Sequence, residues 1–458
     1  MISSSQGTVK TAQSDRPFLH PHPLRGLLIA QFCGAFNDNA WKLLVALLAL
    51  RQVAAKAGGA SSQALEAASQ AETTLVFVVF TLPLMVGSLF AGTLADRLSK
   101  RTVIIAMKIA EVGLMTLGTF ALLIHPQGGW LALAILAGMG AQSALFSPAK
   151  YGILPEVISH PQLSEGNGTL ELWTFLAIIA GTAAGGLLLT LADPSPWLVG
   201  LTLTVTALIG LTASFSVPSV PPARREGGVR ATLAAAWEVL QHDRTLRVGM
   251  VGAISFWTIA SLVGQDILIY GKTVLGLADS TTGLPLATFG IGIGLGALLA
   301  GKLSESKVES GLIPLGAIGI SFWLFFIGIG EPKLGGTLFS MGVLGIASGF
   351  VVVPLNAIIQ WRPPGNRRGG VIALTNTAVF SGILLGSLSA GGFSQGGLNS
   401  SDILAMAGFL TLIATLWLLL QVPTVFIRCL FVVSTHTVFR LEVMGRDAIP
   451  ERGGAIFL

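Results

Sequence analysis

Apolar runs of about 20 residues recur along the whole chain, and each is long enough to carry a helix across a hydrocarbon core roughly 30 Å thick. Within lipid every backbone N–H and C=O must find an internal partner, so continuous apolar runs of this length are read as helices and not as the strands of a β-barrel. Of the 458 residues, 52% are hydrophobic and 11% charged, whereas soluble domains carry roughly 25% charged residues. The runs predict an all-α membrane protein of about twelve transmembrane helices, with spans near 25–51, 74–95, 101–124, 130–150, 167–191, 197–217, 246–272, 284–302, 312–330, 336–360, 370–396 and 401–421. Residues 1–24 are polar, carry Pro17, Pro21 and Pro23, and lack the apolar core of a cleaved signal. The first span is therefore expected to stay in the mature protein.

The net charge of +5 invites a nucleic-acid reading, but the basic residues sit in short loops on alternate sides of the spans, and topology explains them better. Of the 27 Lys and Arg, twenty-one fall on the side of the N-terminus, four (Arg51, Lys56, Lys272 and Lys333) on the other, and Lys42 and Lys108 lie inside spans. That bias places both termini in the cytoplasm, and no nucleic-acid partner is expected. Only Cys33 and Cys429 are present, far apart, and the six histidines are scattered. No disulfide framework or metal site is predicted. No ATP-binding motif appears, and no cofactor is expected.

Residues 218–245 interrupt the hydrophobic pattern with Pro218, Pro221, Pro222, Gly227 and Gly228 among several arginines, as a cytoplasmic linker would. It separates six spans (25–217) from six (246–421). The halves are also related by sequence. Gly92-Thr-Leu-Ala-Asp96 recurs as Gly301-Lys-Leu-Ser-Glu305, Pro148 recurs as Pro354, and Glu171 falls opposite Asn376, all at offsets of 205 to 209 residues. Internal duplication of this kind is how many secondary transporters are built, with the substrate site between the halves near the bilayer midplane.

Gly92-Thr-Leu-Ala-Asp96-Arg97-Leu-Ser-Lys100-Arg101, between the second and third spans, resembles the signature loop of the major facilitator superfamily. Gly92 allows close helix approach, and Asp96 can bind a helix N-terminus or an arginine and so latch the cytoplasmic ends together. A latch that holds in one state and breaks in the other is a gate. Gly92, Asp96, Arg97 and Arg101 are the candidate gating residues.

Further segments narrow the resemblance. Gln31-Phe-Cys-Gly-Ala-Phe36-Asn37-Asp38-Asn39-Ala40, Ser147-Pro-Ala-Lys150-Tyr151-Gly152-Ile-Leu-Pro-Glu156, Gly166-Asn167-Gly168 with Glu171, and Val353-Pro354-Leu-Asn356-Ala-Ile-Ile-Gln360 are similar to the bacterial lysophospholipid transporter family over most of residues 25–421. Within residues 422–458, the stretch Phe439-Arg440 to Leu458 resembles the opening strand of a glycerolipid acyltransferase domain, whose His-x4-Asp catalytic motif is absent here. The resemblance implies the transporter part of a natural fusion, with an acyltransferase domain as its downstream partner.

Polar residues inside the spans are the candidate binding groups, because a charge at mid-bilayer costs several kcal/mol unless it faces a cavity or a partner. Asp38 and Lys42 lie four apart on the first span and are expected to form an ion pair, as are Lys108 and Glu111 on the third. Lys150 at the end of the fourth, Glu171 in the fifth, Gln265 and Asp266 in the seventh, Asn356 in the tenth and Asn376 in the eleventh complete the set. Glycines 290, 292, 294, 296 and 301 superficially suggest a phosphate loop, but no strand precedes them, and helix packing is expected instead.

The resemblance implies a lysophospholipid carried from the outer to the inner leaflet of the bacterial inner membrane for re-acylation, amid membrane lipids. Asp38 or Glu171 would receive an ammonium, and Lys42 or Lys150 a phosphate. Stand-alone members tend to carry an arginine in the seventh span, where this sequence has Gly264-Gln265-Asp266. Two alternatives are an exporter of drugs or small metabolites and a membrane anchor for an acyltransferase. The first leaves the segment after residue 439 unexplained, and the second needs neither twelve spans nor charges within them.

Overall fold

The computed structural model describes residues 24–56, 62–222, 228–277, 281, 283–304 and 309–421, with single positions 427, 431 and 434. The tail before residue 24 and the acyltransferase-like stretch after residue 439 lie outside the described residues. The first half comprises α1 (Arg25–Lys56), α2 (Ser62–Arg97), α3 (Lys100–Ile124), α4 (Trp130–Val157), a 3-10 turn (His160–Gln162), α5 (Leu163–Leu191) and α6 (Trp197–Ser214). A short helix, α7 (Val229–His242), follows in the linker. The second half comprises α8 (Arg244–Thr273), α9 (Leu284–Leu303), α10 (Leu312–Gly330), α11 (Leu334–Trp361), α12 (Arg368–Gln395) and α13 (Ser400–Gln421).

Among the described residues eleven helices are long and apolar enough to cross a membrane. The twelfth is α1, with 32 residues. Its hydropathy is lowered by Asn37, Asp38, Asn39 and Lys42, yet it packs against α5 and α6 inside its half. Large side chains such as Leu117, Phe120, Phe322, Leu385 and Leu420 are exposed on the outer faces, where lipid is the solvent.

The internal duplication is visible in the packing. In the first half α2 packs on α4, α3 on α6 and α1 on α5; in the second, α9 packs on α11, α10 on α13 and α8 on α12. The seams between halves repeat the same symmetry, α2 against α12 and α9 against α5. A side chain at Gly92 would strike Gly369, Gly370 and Ala373 of α12, and one at Gly301 would strike Ser164 and Glu165 of α5. The glycine series on α9 is a packing face, since Gly292 and Gly296 lie against the α11 backbone at Gly342 and Ile346.

One boundary changes the reading of a charge. Helix α4 continues through Pro155 to Val157, so Lys150 lies seven residues, or about 10 Å at 1.5 Å per residue, before its end. Lys150 is buried and belongs with the intramembrane charges, not with the loop cations among which its sequence position placed it. The linker is also more ordered than its prolines suggest. Helix α7 buries Thr232, Ala235, Ala236 and Leu240, and Arg367 pairs with its Glu238 at 2.9 Å. Asp243 caps α8 through the Leu246 N–H at 3.0 Å and pairs with Arg362 at 2.6 Å.

Candidate functional site

A cavity of about 270 Å³ lies between the halves, lined by α1, α2, α3, α4 and α5 on one side and α8, α11 and α12 on the other. Asp38, Lys108, Lys150, Glu171, Asn356 and Asn376 all reach it. The triplet at the middle of α1 points three ways, as a helix of 3.6 residues per turn requires. Asn37 turns into its own half, donating to Glu111 Oε1 at 2.9 Å and to the Leu203 carbonyl at 3.2 Å. Asn39 donates to the Ala35 carbonyl at 2.8 Å. Asp38 faces the cavity, where the Ser143 hydroxyl donates to its Oδ2 at 2.6 Å.

The expected Asp38–Lys42 pair does not form. Lys42 donates instead to Asn39 Oδ1 at 3.0 Å and lies over the Phe80 ring, 5.1 Å from its centre. It does not line the cavity. A partner on a neighbouring helix, Ser143 of α4, takes the place of the one expected a turn away. The Lys108–Glu111 pair does form, at 2.6 Å with both side chains buried. Lys108 lies at the cavity wall with its ammonium over Phe146 at 5.2 Å. The absence of a side chain at Gly34 leaves room for that ammonium against α1. Glu111 stands behind it and is not in the lining.

Glu171 gathers two donors, the Tyr151 hydroxyl at 3.1 Å and Asn356 Nδ2 at 3.0 Å, both on its Oε1. The second bond crosses from α11 to α5. Lys150 extends over the Tyr151 ring with its ammonium 4.3 Å from the centre. Asn376 donates to Ser147 Oγ at 2.9 Å. Besides Lys42 and Glu111, two further sequence candidates stand outside the lining. On α8 the cavity is met by Ala253 and Trp257; Asp266, nine residues beyond Trp257, is turned about half a circle away at 3.6 residues per turn. It is buried toward α13, with its backbone carbonyl accepting from Ser400 at 3.1 Å, and Gln265 is exposed. Sequence reasoning missed Gln142, Ser143, Thr174, Trp257 and Phe380, which line the same cavity. Tyr151, although part of a recognised motif, was not singled out for a role.

The end of the molecule that carries the linker is sealed. Both carboxylate oxygens of Asp96 accept backbone N–H groups at the start of α12, from Gly369 at 2.9 Å and Gly370 at 3.1 Å. These are among the orphan donors that every helix N-terminus leaves, and the helix dipole favours an anion there. Glu156 of α4 accepts from Lys100 at 2.5 Å and Arg368 at 3.4 Å. Nearer the cavity Asn167 and Gln360 are hydrogen-bonded across the seam. Arg101 donates to the Phe215 carbonyl at 2.7 Å, within its own half, and Arg97 is exposed. Gly92 and Asp96 therefore meet the opposite half directly, whereas Arg101 braces its own. With this end sealed, access to the cavity is from the far end or between helices.

Residues 27–387 match the Major Facilitator Superfamily. The chain is 33% identical over 388 residues to the lysophospholipid transporter LplT of Cronobacter sakazakii, covering 82% of this chain and 89% of that protein. It is 30% identical over 348 residues to the LplT of Photorhabdus laumondii, covering 74% and 79%. Among solved structures, the human organic anion transporter MFSD10 superposes with a TM-score of 0.71 at 14% identity, covering 87% of this chain and 100% of that one. A bacterial homologue of the iron transporter ferroportin gives 0.62 at 14% identity, covering 90% and 100%. These two likenesses concern the fold alone.

Proposed function

This chain belongs to the lysophospholipid transporter family of the Major Facilitator Superfamily, and from that membership we infer that the cavity between its halves carries a lysophospholipid across the membrane. The chain is a multi-pass membrane transporter and not an enzyme. The observation that carries the substrate reading is the presence of both signs of charge in one cavity, Asp38 and Glu171 beside Lys108 and Lys150. A lysophospholipid headgroup has an anionic phosphate and often an ammonium, and a site for it needs both a cation and a carboxylate.

We place the termini and the linker in the cytoplasm of a bacterial inner membrane, as the distribution of Lys and Arg argues. The sealed linker end then makes this the outward-facing state. Substrate arrives from the outer leaflet, the Asp96 latch opens, and the headgroup is released toward the inner leaflet, where a downstream acyltransferase re-acylates it. Alternating access of this kind requires the contacts on the two sides of the cavity to exchange. Binding of lysophosphatidylethanolamine to the purified chain tests the reading. Saturable binding that Lys150→Gln and Glu171→Gln each weaken is expected, and binding indifferent to both would overturn it.

A further inference from the structure

Asp266 of α8 is only 1% exposed, and neither of its carboxylate oxygens has a hydrogen-bond partner among the described residues. Every other charged side chain within α8 to α13, namely Arg244, Arg247, Lys272, Lys302, Arg368 and Asp402, lies in a first or last turn. The charged groups at the same end of the second half are Lys272, Glu331, Lys333 and Asp402, and all four are exposed. Helices α9 and α12 bring no titratable group to that end. Tyr270, one turn beyond Asp266, is buried and directs its hydroxyl to the Ile327 carbonyl at 3.5 Å.

An ionised carboxylate sealed among apolar side chains without a donor costs far more than the neutral acid. As a packing element Asp266 supplies nothing that an apolar residue would not, since it makes no bond through its side chain. Unpaired ionisable residues inside a span mark ion or proton paths. A metal cation would want several oxygens turned to one point. Here the Ser400 hydroxyl is turned to the Asp266 backbone carbonyl at 3.1 Å, and the Ser401 hydroxyl to Glu331 Oε1 at 2.6 Å. A proton needs only one carboxylate oxygen. Asp266 also stands seven residues before the end of α8 opposite the linker, about 10 Å at 1.5 Å per residue, so a modest parting of α8 from α13 brings water to it.

We propose that Asp266 is a proton-binding site, and that the bound proton holds α8 against α13. The proton is taken from water on the side opposite the linker and forms an O–H bond on one carboxylate oxygen. When that bond breaks, the proton returns to the same water, and the carboxylate left behind must be hydrated, which turns α8 away from α13. The same helix presents Ala253 and Trp257 to the central cavity. The proton-bound and proton-free states therefore shape the cavity differently, and by linkage a ligand in the cavity changes the affinity for the proton.

The test uses the purified full chain in lipid nanodiscs without lysophospholipid, so its outcome is independent of the substrate reading. Infrared spectra of the wild type at neutral pH should contain the C=O stretch of a protonated carboxyl that Asp266→Asn lacks; equal bands in the two proteins overturn the bound proton. Spin labels at the ends of α8 and α13 opposite the linker then report the ratio of separated to packed populations. In the wild type this ratio rises with pH by up to about tenfold per unit, the limit for one proton. In Asp266→Asn, which keeps the shape and cannot ionise, it stays at its low-pH value, and Asp266→Val repeats the measurement where the asparagine variant does not fold. A ratio flat with pH in the wild type, or the same rise in the variant, overturns the switch. A ratio set by sodium at fixed pH identifies a metal cation and overturns the proton assignment.

Discussion

Asn167 of α5 and Gln360 of α11 each donate to the other, at 3.0 and 2.7 Å, with both amides buried between the two halves. The pair lies on the linker side of the cavity, so every transport cycle that opens that side must break it. Replacing Gln360 leaves Asn167, which keeps only its bond to the Leu163 carbonyl at 2.9 Å, buried with one unpaired N–H and an unpaired acceptor, a cost of about 1–3 kcal/mol that only the sealed state bears. Gln360→Ala is therefore expected to shift the population toward the state open at the linker end. Spin labels at the linker ends of α5 and α11 should show a longer-distance population that grows roughly tenfold for each 1.4 kcal/mol. Identical distance distributions in wild type and variant would remove this pair from the gate.

Asp96 takes two backbone N–H groups at once, and asparagine in its place keeps only one acceptor oxygen and no charge. Charge-assisted bonds of this kind contribute about 1.5–3 kcal/mol. Asp96→Asn is expected to slow transport by about tenfold or more while leaving insertion and folding intact, since Arg368, the cation beside it, keeps its pairing with Glu156. Normal rates in reconstituted vesicles would show that the latch is not rate-determining.

Lys108 and Glu111 form a buried ion pair, and removing one partner of such a pair typically costs about 3–5 kcal/mol. Lys108→Met should thus destabilise the chain strongly, and Lys108→Met/Glu111→Leu should recover most of that loss in a thermal melt. The repaired double variant, lacking the ammonium at the cavity wall, is expected to bind lysophospholipid weakly. Wild-type affinity in the double variant would make the pair purely structural.

The fold was legible because span length and the duplicated Gly92 and Gly301 segments depend on properties local to the sequence. The contact of Gly92 and Asp96 with the start of α12 was legible for the same reason, since a glycine followed by an aspartate at a helix end suits a close approach and a helix N-terminus. Site chemistry was read less completely. Asp38 was expected to pair with Lys42 because helical spacing is the only geometry a sequence supplies; the actual partner, Ser143, is 105 residues away. Asp266 and Gln265 stand out in the sequence by their polarity inside a span, but polarity does not give the phase of α8, which turns Trp257 to the cavity and Asp266 away from it. The apolar residues of the cavity, Trp257 and Phe380 among them, were invisible because they are indistinguishable in sequence from lipid-facing ones.

Ser219 follows the last helix of the first half. A cysteine placed there is expected to react with an impermeant thiol reagent only after the cells are permeabilised, as a cytoplasmic linker requires. Labelling in intact cells would invert the topology and with it the direction of transport.

Asp38 is held by Ser143 and not by Lys42, so its removal strands no buried cation in the contacts observed, and Asp38→Ala is expected to fold with near-normal thermal stability. The most direct measurement is the movement of labelled lysophosphatidylethanolamine into the inner leaflet of proteoliposomes, scored as label that albumin can no longer extract. Wild-type protein should render the label inextractable faster than protein-free vesicles, and stable Asp38→Ala protein should not. No difference between wild-type and protein-free vesicles would contradict lysophospholipid transport by this chain.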